Sequence, residues 1–578
     1  MAKGKKVQLN QNTNREMLLF KQATDLISKG KFSDAIVILD KLVSQNKKHA
    51  DAYNTLGVAY FRLQKLDKAL EMYKKAVDIN PENPIYLNNY GTTLSGLGDN
   101  VTAVKIIGEA IKRDINYTEA YNNMGIALMR IGDIQNSLQC FKKTLQLNPN
   151  HTRAMNSMAM ALRKDNRHDE AIEIFKVLLD KEPENSHIYN NIGITLIQLG
   201  KYDDAAQFFV ESLKLDPNNP DVYNNLADVF HKQGKFKAAL EAYKLAETLN
   251  PSENAIKWNI GLIYLCLGDL QHGWDYFEWG YKDVDVRVSI DFKKPSWDGT
   301  PTTTDKVIIL AEQGLGDEIL FASCFRDFLR DVEHAYINCD QRLLPILKRS
   351  FPEANYVGGR KISDVLELNP ALPVVDYQVF AGSLPKYYRK SINDFPTEKS
   401  YLLADPEKVK TWKEYLDAYP GKLKVGLTWR SGMLTVARSL HYTRLSQWLD
   451  ILSIPNIDFV SLQYDETSQR EIAELKELHN IEIIQPDNID LKNDIDSLAA
   501  LLSSLDLVIG AGTATLSLAG ALGIDTWKLT ACFEWTLLGT NYFPWHPSYK
   551  CFIQTSPPVW TKELSDIEHN LKHKVESL

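Results

Sequence analysis

Two rhythms of apolar and polar residues divide this chain. From about Glu16 to about Tyr281 the pattern returns every 34 residues. Tyr53, Leu87, Tyr121, Met155, Tyr189 and Tyr223 hold one position of the unit, and Gly57, Gly91, Gly125, Ala159, Gly193 and Ala227 a second. Ala69, Ala103, Ser137, Ala171, Ala205 and Ala239 mark a third, while Pro81, Pro149, Pro183, Pro217 and Pro251 close units. Small residues at fixed points let two helices approach. The period therefore predicts about eight helix–turn–helix units stacked into a superhelix, the first and last degenerate as end caps.

From Lys306 the rhythm changes. Val307–Ala311 is an apolar run of strand length, the pattern of a strand buried on both faces. Gln313-Gly314-Leu315-Gly316 breaks it, and Asp317 falls where a helix is capped. Leu320, Phe321, Cys324, Phe325 and Phe328 follow at helical spacing. Such alternation continues, with Ala335–Cys339, Ala354–Val357 and Val374–Val379 as strands. After a proline-punctuated stretch at 391–420 it starts again, with Val425–Trp429, Phe459–Leu462, Ile481–Ile484, Leu507–Ile509 and Thr526–Leu529. Two series of this kind predict two Rossmann-like, doubly wound α/β lobes facing across a cleft. The expected organisation is a flexible basic N-terminus (1–15), a superhelix (16–285), a linker carrying a docked Trp297 (286–305), and lobes at 306–420 and 421–578.

Composition narrows the function classes. A net charge of −8 argues against a general nucleic-acid binder. The six cysteines form no CxxC pair, so neither a disulfide framework nor a zinc site is indicated. The N-terminal MAKGKKVQLN lacks the apolar core of a secretory signal, and no apolar run has membrane-spanning length. The expectation is a cytoplasmic protein. Asp283-Val284-Asp285 matches a metal-binding Asp-x-Asp but lies outside any plausible sheet and reads as a solvated turn.

Polar residues travel with the repeats. Asn88-Asn89, Asn122-Asn123, Asn190-Asn191 and Asn224-Asn225 recur on the first helix of the unit, with single members at Asn54, Asn156 and Asn259. The period and signature resemble tetratricopeptide repeats, whose first helices line a concave groove. The first asparagine of each pair fits local bonding between helices as well as function. The second (Asn89, Asn123, Asn191, Asn225, Asn259) suits acceptor binding, because a side-chain amide can donate to and accept from the backbone of an extended peptide. The array is similar to the asparagine-lined superhelix of the O-linked N-acetylglucosamine transferases.

The second half carries a more specific resemblance. Ala311-Glu312-Gln313-Gly314-Leu315-Gly316-Asp317-Glu318 resembles the opening motif of tetratricopeptide proteins whose C-terminal domain is similar to the bacterial heptosyltransferases. Asp506–Ile509 with Gly512-Thr513 and Leu518–Gly523 resembles a second hallmark, and Phe543-Pro544-Trp545-His546-Pro547-Ser548 the tail motif. The resemblance implies a two-lobed glycosyltransferase B (GT-B) fold that needs no metal or cofactor and binds a nucleotide sugar mainly through its C-terminal lobe. Asp317 falls on the aspartate proposed there as the base, although it also fits a plain helix cap. Arg430, Ser431 and Arg438 fall where the family contacts the donor diphosphate, a task that suits the guanidinium fork. Gln313, Gly314 and Gly316 of the turn, Gln463 toward base or ribose, Gly510 and Gly512 for close approach, and Thr513 and Thr515 at a helix start complete the donor set. The family pattern has Asp at Gly512 and His at Ser517. Their loss favours a donor carrying its own negative charge, such as the CMP-activated nonulosonic acids of related flagellin glycosyltransferases.

These readings converge on an inverting, metal-independent protein O-glycosyltransferase acting on Ser/Thr of a protein held by the repeats, with no nucleic-acid partner and no membrane span. Two alternatives stand beside it: a non-catalytic interaction scaffold that binds a nucleotide sugar, and an enzyme that builds a glycan or lipopolysaccharide.

Overall fold

The computed structural model describes residues 2–282, 292–312, 314–359, 374–431, 442–556 and 559–578, with backbone alone for 2–13. Sixteen α-helices come first among these, from α1 (Ala2–Ser28) to α16 (Leu270–Phe277); neighbours in sequence pack on one another from α1 to α10 and again from α12 to α16. The small position of the repeat is a helix-to-helix contact. A Cβ on Gly57 would lie 2.6 Å from the Tyr73 ring, and one on Gly125 would lie 2.6 Å from Phe141. Helix starts are written into the turns: Asp99, Asp133 and Asp269 each accept a backbone N–H of the helix they precede. The basic segment expected at 1–15 falls within the first helix. No proline interrupts residues 2–28, and α1 runs through them unbroken.

The chain forms two compact units, Met1–Thr195 and Leu196–Leu578. Their boundary falls within α11 (Ser186–Gln198), so α12 (Tyr202–Leu215), α13 (Pro220–Lys232), α14 (Phe236–Leu249), α15 (Asn254–Cys266) and α16 belong with everything that follows.

Two parallel sheets build the rest of the second unit. The first has order β3-β2-β1-β4, from β1 (Thr302–Leu310), β2 (Val332–Cys339), β3 (Asn355–Gly358) and β4 (Tyr377–Phe380). The second has order β6-β5-β7-β8-β9, from β5 (Leu423–Thr428), β6 (Ile457–Ser461), β7 (Leu507–Ala511), β8 (Thr526–Thr530) and β9 (Tyr549–Ile553). Both reverse direction of winding beside their first strand, between β1 and β4 and between β5 and β7, the switch points at which such sheets bind ligands. Residues 481–484 do not form the expected strand; Ile484 makes a single bridge to Val460. The predicted helix after the glycine-rich turn is broken into α17 (Leu315–Phe321), a 3₁₀ turn (Ala322–Cys324) and α18 (Phe325–Asp331). In the linker, Trp297 is buried against Phe328 with ring centroids 5.3 Å apart, and its backbone N–H donates to Gln378 O at 2.8 Å.

One apolar core underlies the last repeat and both sheets. It joins Leu265, Trp274 and Phe277 to Ile309 and Phe321 and to Leu498, Leu518 and Trp545. Its aromatic members meet edge to face, Trp274 and Phe321 each packing on Trp545 at 6.2 and 5.8 Å between centroids.

His546 of the tail motif is a plate in this packing. It stacks between Tyr401 and Phe543 at 5.7 and 5.4 Å, and neither ring nitrogen has a hydrogen-bond partner among the described residues. Burial, reinforced by nearby Lys528, lowers its pKa to about 3. A folded value below that of the unfolded chain (about 6.5) means the unfolded state takes up the proton first. Stability from this group is therefore lost as pH falls from about 6.5 toward 3. His546→Phe, which keeps a ring in the stack, should flatten the fall of unfolding free energy between pH 6.5 and 4 by up to ~1.4 kcal/mol per pH unit. His231, which burial lowers to about 4, should leave a residual slope. Urea melts across this range test it, and an unchanged slope would exclude His546.

Candidate functional site

The carboxyl ends of β1, β5, β6 and β7 surround a cavity of about 320 Å³. Gly314 and Leu315 reach it from the turn after β1, Arg430 and Ser431 from the end of β5, Gln463 and Tyr464 from β6, and Thr513–Thr515 from β7. The structure thus brings together Gly314, Arg430, Ser431, Gln463, Thr513 and Thr515 of the predicted donor set. Gln313 and Arg438 lie outside the described residues, as do residues 283–291 with the Asp-x-Asp.

Two helix starts meet at this cavity. Thr513 is the N-cap of α25 (Ala514–Ala521), its hydroxyl oxygen accepting the Leu516 N–H at 3.3 Å. The N–H groups of Ala514 and Thr515 have no partner within the helix, as at any helix start, and carry the positive end of its dipole. Gly316 of α17 abuts this end: a Cβ there would lie 3.5 Å from Ala514 Cα and 3.7 Å from Ser517 Oγ. Gly316 therefore serves helix contact, with the Ser517 hydroxyl close beside it.

Asp317 is not the helix cap. Gly314 occupies that position in extended conformation (φ −111°, ψ 141°), and Asp317 is the third helical residue. Its carboxylate folds back toward the cap, with Oδ2 3.2 Å from where a Gly314 Cβ would be. An acid there favours the helix start, and it stands beside a cavity wall without being part of it. The flanking acids are occupied. Glu312 Oε1 accepts from Tyr281 Oη at 2.6 Å and Gly382 N at 2.7 Å, and Glu318 Oε2 accepts from Asp340 N at 2.8 Å.

The cavity's arginines are held by carboxylates. Arg430 is 4% exposed, and its Nη2 donates to Asp465 Oδ1 at 3.0 Å and Glu471 Oε2 at 2.9 Å. Gln463 joins the same network, accepting from Thr428 Oγ1 at 2.9 Å and donating to Asp465 Oδ2 at 3.2 Å. Arg342 grips Asp340 through two 2.8 Å bonds, which raise its pKa, and donates across the cleft to Lys492 O at 3.0 Å. Sequence reasoning missed Arg342, Tyr464 and Lys492. Arg342 opens a helical segment after β2 and carries no motif.

Two predicted glycines do other work. A Cβ on Gly510 would lie 2.0 Å from Thr428 O, so its bareness serves contact between β5 and β7. Gly512 faces the half-buried ion pair Lys528–Glu534: a Cβ there would lie 3.3 Å from Lys528 Cε.

In the repeats the asparagines bond to one another. Asn89 Nδ2 donates to Asn54 Oδ1 at 2.9 Å, Asn123 to Asn88 at 3.0 Å and Asn191 to Asn156 at 3.2 Å. In the second unit Asn259 donates to Asn224 at 3.3 Å. These four second-position amides thus give their NH₂ to the first asparagine of the preceding repeat.

Removing Arg430 would leave two carboxylates facing each other without a cation. Arg430→Ala should therefore cost about 3 kcal/mol of stability, and in the same background Asp465→Asn should recover part of it. Chemical denaturation of the full chain measures both; a loss under about 1 kcal/mol would mean the network is not structural.

Comparison with known proteins places these features. Residues 50–83, 118–151 and 220–253 match the Tetratricopeptide repeat family, as do 72–105 and 157–185, and residues 195–234 match a TPR repeat family. The chain is 34% identical over 321 residues to Protein FlbA of Caulobacter vibrioides, covering 54% of each. The chain thus spans about half the length of that curated relative. Among solved structures, it is similar to a tetratricopeptide repeat protein from Parabacteroides merdae (20% identity, 43% of this chain and 98% of that one, TM-score 0.38). Another is pilF of Pseudomonas aeruginosa (21%, 37% and 98%, TM-score 0.33). The helical part of the chain is an array of tetratricopeptide repeats, followed by a region of parallel sheets.

Proposed function

We propose that the chain is a protein O-glycosyltransferase of the GT-B type, in which the repeats hold a protein acceptor and the cleft holds a nucleotide sugar. The observation that carries this reading is the cavity at both switch points, with the start of α25 and the side chains of Arg342, Arg430 and Lys492 around it. Such surroundings suit a phosphate group. A neighbouring cavity of about 480 Å³ has the opposite character. Gln469, Gln485, Asp487 and Asp490 line it with no cation, and it shares Gln463, Tyr464 and Leu491 with the first. That division suits a donor whose phosphates lie by α25 and whose uncharged nucleoside hydrogen-bonds next door.

In the proposed reaction Asp317 removes the proton of an acceptor Ser/Thr hydroxyl. The freed oxygen attacks the anomeric carbon from the face opposite the phosphate, the bond from that carbon to the phosphate oxygen breaks, and configuration inverts. The departing negative charge is met by the α25 N–H groups and Lys492. A CMP-activated nonulosonic acid remains the favoured donor, because its own carboxylate would add to what the cations neutralise. A second reading, an interaction scaffold, is favoured by the repeats alone.

Incubation of the full chain with candidate acceptor proteins and a panel of nucleotide sugars, read by intact mass, decides between them. The expected outcome is a mass increment of one sugar that persists in a strong chelator. Asp317→Asn should lower turnover by ~10²–10⁴ while leaving nucleotide affinity close to wild type. Undiminished turnover in that variant would remove Asp317 as the base, and absence of transfer with every donor would favour the scaffold.

A further inference from the structure

The tie between the last repeat and the glycine-rich turn converges on one side chain. Tyr281 follows α16 in a 3₁₀ turn (Glu278–Lys282), near the end of what the repeats contribute among the described residues. Its ring stacks on Phe380 at the end of β4, with centroids 4.1 Å apart and planes 9° from parallel. Its hydroxyl donates to Glu312 Oε1 at 2.6 Å. That same oxygen accepts the Gly382 N–H at 2.7 Å, and Glu312 is 4% exposed.

The knot has no slack. A Cβ on Gly382 would fall 2.3 Å from the Tyr281 hydroxyl, 2.8 Å from Glu312 Oε1 and 3.1 Å from Phe321. Glu312 ends the buried segment after β1 and lies two residues before Gly314, the cap of α17 and a wall of the cavity. Phe321, at the other end of α17, packs on Phe277 of α16 at 6.4 Å. The short helix that presents Gly314 and Leu315 is therefore packed on the last repeat at its Phe321 end, and the last repeat also bonds Glu312, two residues before its cap.

We propose that Tyr281 is a positioning residue for the cavity: its hydroxyl, through Glu312, sets where Gly314 and Leu315 stand and hence how tightly a nucleotide is held. The proposal rests on reading the cavity as a nucleotide site. Ring stacking supplies adhesion, whereas the hydroxyl fixes the carboxylate, so the two contributions separate in Tyr281→Phe.

The test uses the full chain, with CMP, UDP and ADP as separate probes in calorimetry and amide exchange of the segment spanning 314–322 read without nucleotide. Tyr281→Phe should speed that exchange and weaken the nucleotide bound best by roughly fivefold. Glu312→Gln keeps an oxygen that accepts both bonds and should bind nearly as wild type. Tyr356→Phe is the structural control. Its hydroxyl donates to Leu347 O and Phe351 O, each at 2.8 Å, away from the cavity. It should lower the melting temperature without changing nucleotide affinity. Tyr281→Phe behaving like Tyr356→Phe would overturn the proposal, as would loss of affinity in Glu312→Gln equal to that in Tyr281→Phe. If the wild type binds none of the three nucleotides, the donor reading falls and the role assigned to Tyr281 falls with it. A shift in exchange alone would then mark a structural tie.

Discussion

The second unit depends on a core shared by elements of different origin. Trp274 and Phe277 come from a repeat, Phe321 from the first sheet's opening helix, and Trp535 and Trp545 from the end of the second sheet, and they pack as one aromatic group. Each aromatic contact adds about 0.5–1.5 kcal/mol beyond the area it buries. Because no single element owns this core, separating the last repeat from the sheets, or one sheet from the other, would expose the same rings. The orientation of the cleft walls follows from that packing, as does the close approach of Gly316 to Ala514.

Electrostatics at the cavity follow a related logic of prior commitment. Arg430 and Arg342 are each fixed by acids before any ligand arrives, Arg430 by Asp465 and Glu471 and Arg342 by Asp340. A guanidinium so held keeps its geometry, which spares ordering cost on binding, but its charge is largely answered. The unanswered positive character then comes from backbone N–H groups at the start of α25 and from the exposed Lys492.

Much of this was legible along the chain, and the failures share a cause. The 34-residue period set the helix pairs because each repeat repeats its own neighbours, and Val307–Ala311 read as a strand because burial on both faces leaves an unbroken apolar run. Six predicted donor residues did converge on one cavity. What could not be read were partners far off in sequence. Arg430 is answered by residues 35 and 41 positions away, and Gly510 is bare because of Thr428, not because of a ligand. Asp317 looked like a cap because acids often are; a glycine in extended conformation took that place instead. The closing strand β9 and the C-terminal helix α26 (Thr561–Glu576) went unread, since an edge strand alternates weakly and the helix follows no motif.

The asparagine rungs have a property that their chemistry alone does not announce. Asn54–Asn89 and Asn88–Asn123 present the same bond in the same orientation one repeat apart. A polypeptide laid along such rungs and then shifted by one of them would find an equivalent surface, so its grip is degenerate with respect to translation. Holding and choosing are then different tasks. Rungs that repeat in this way carry nothing that marks one register from the next, so any register would have to be set by features outside the ladder.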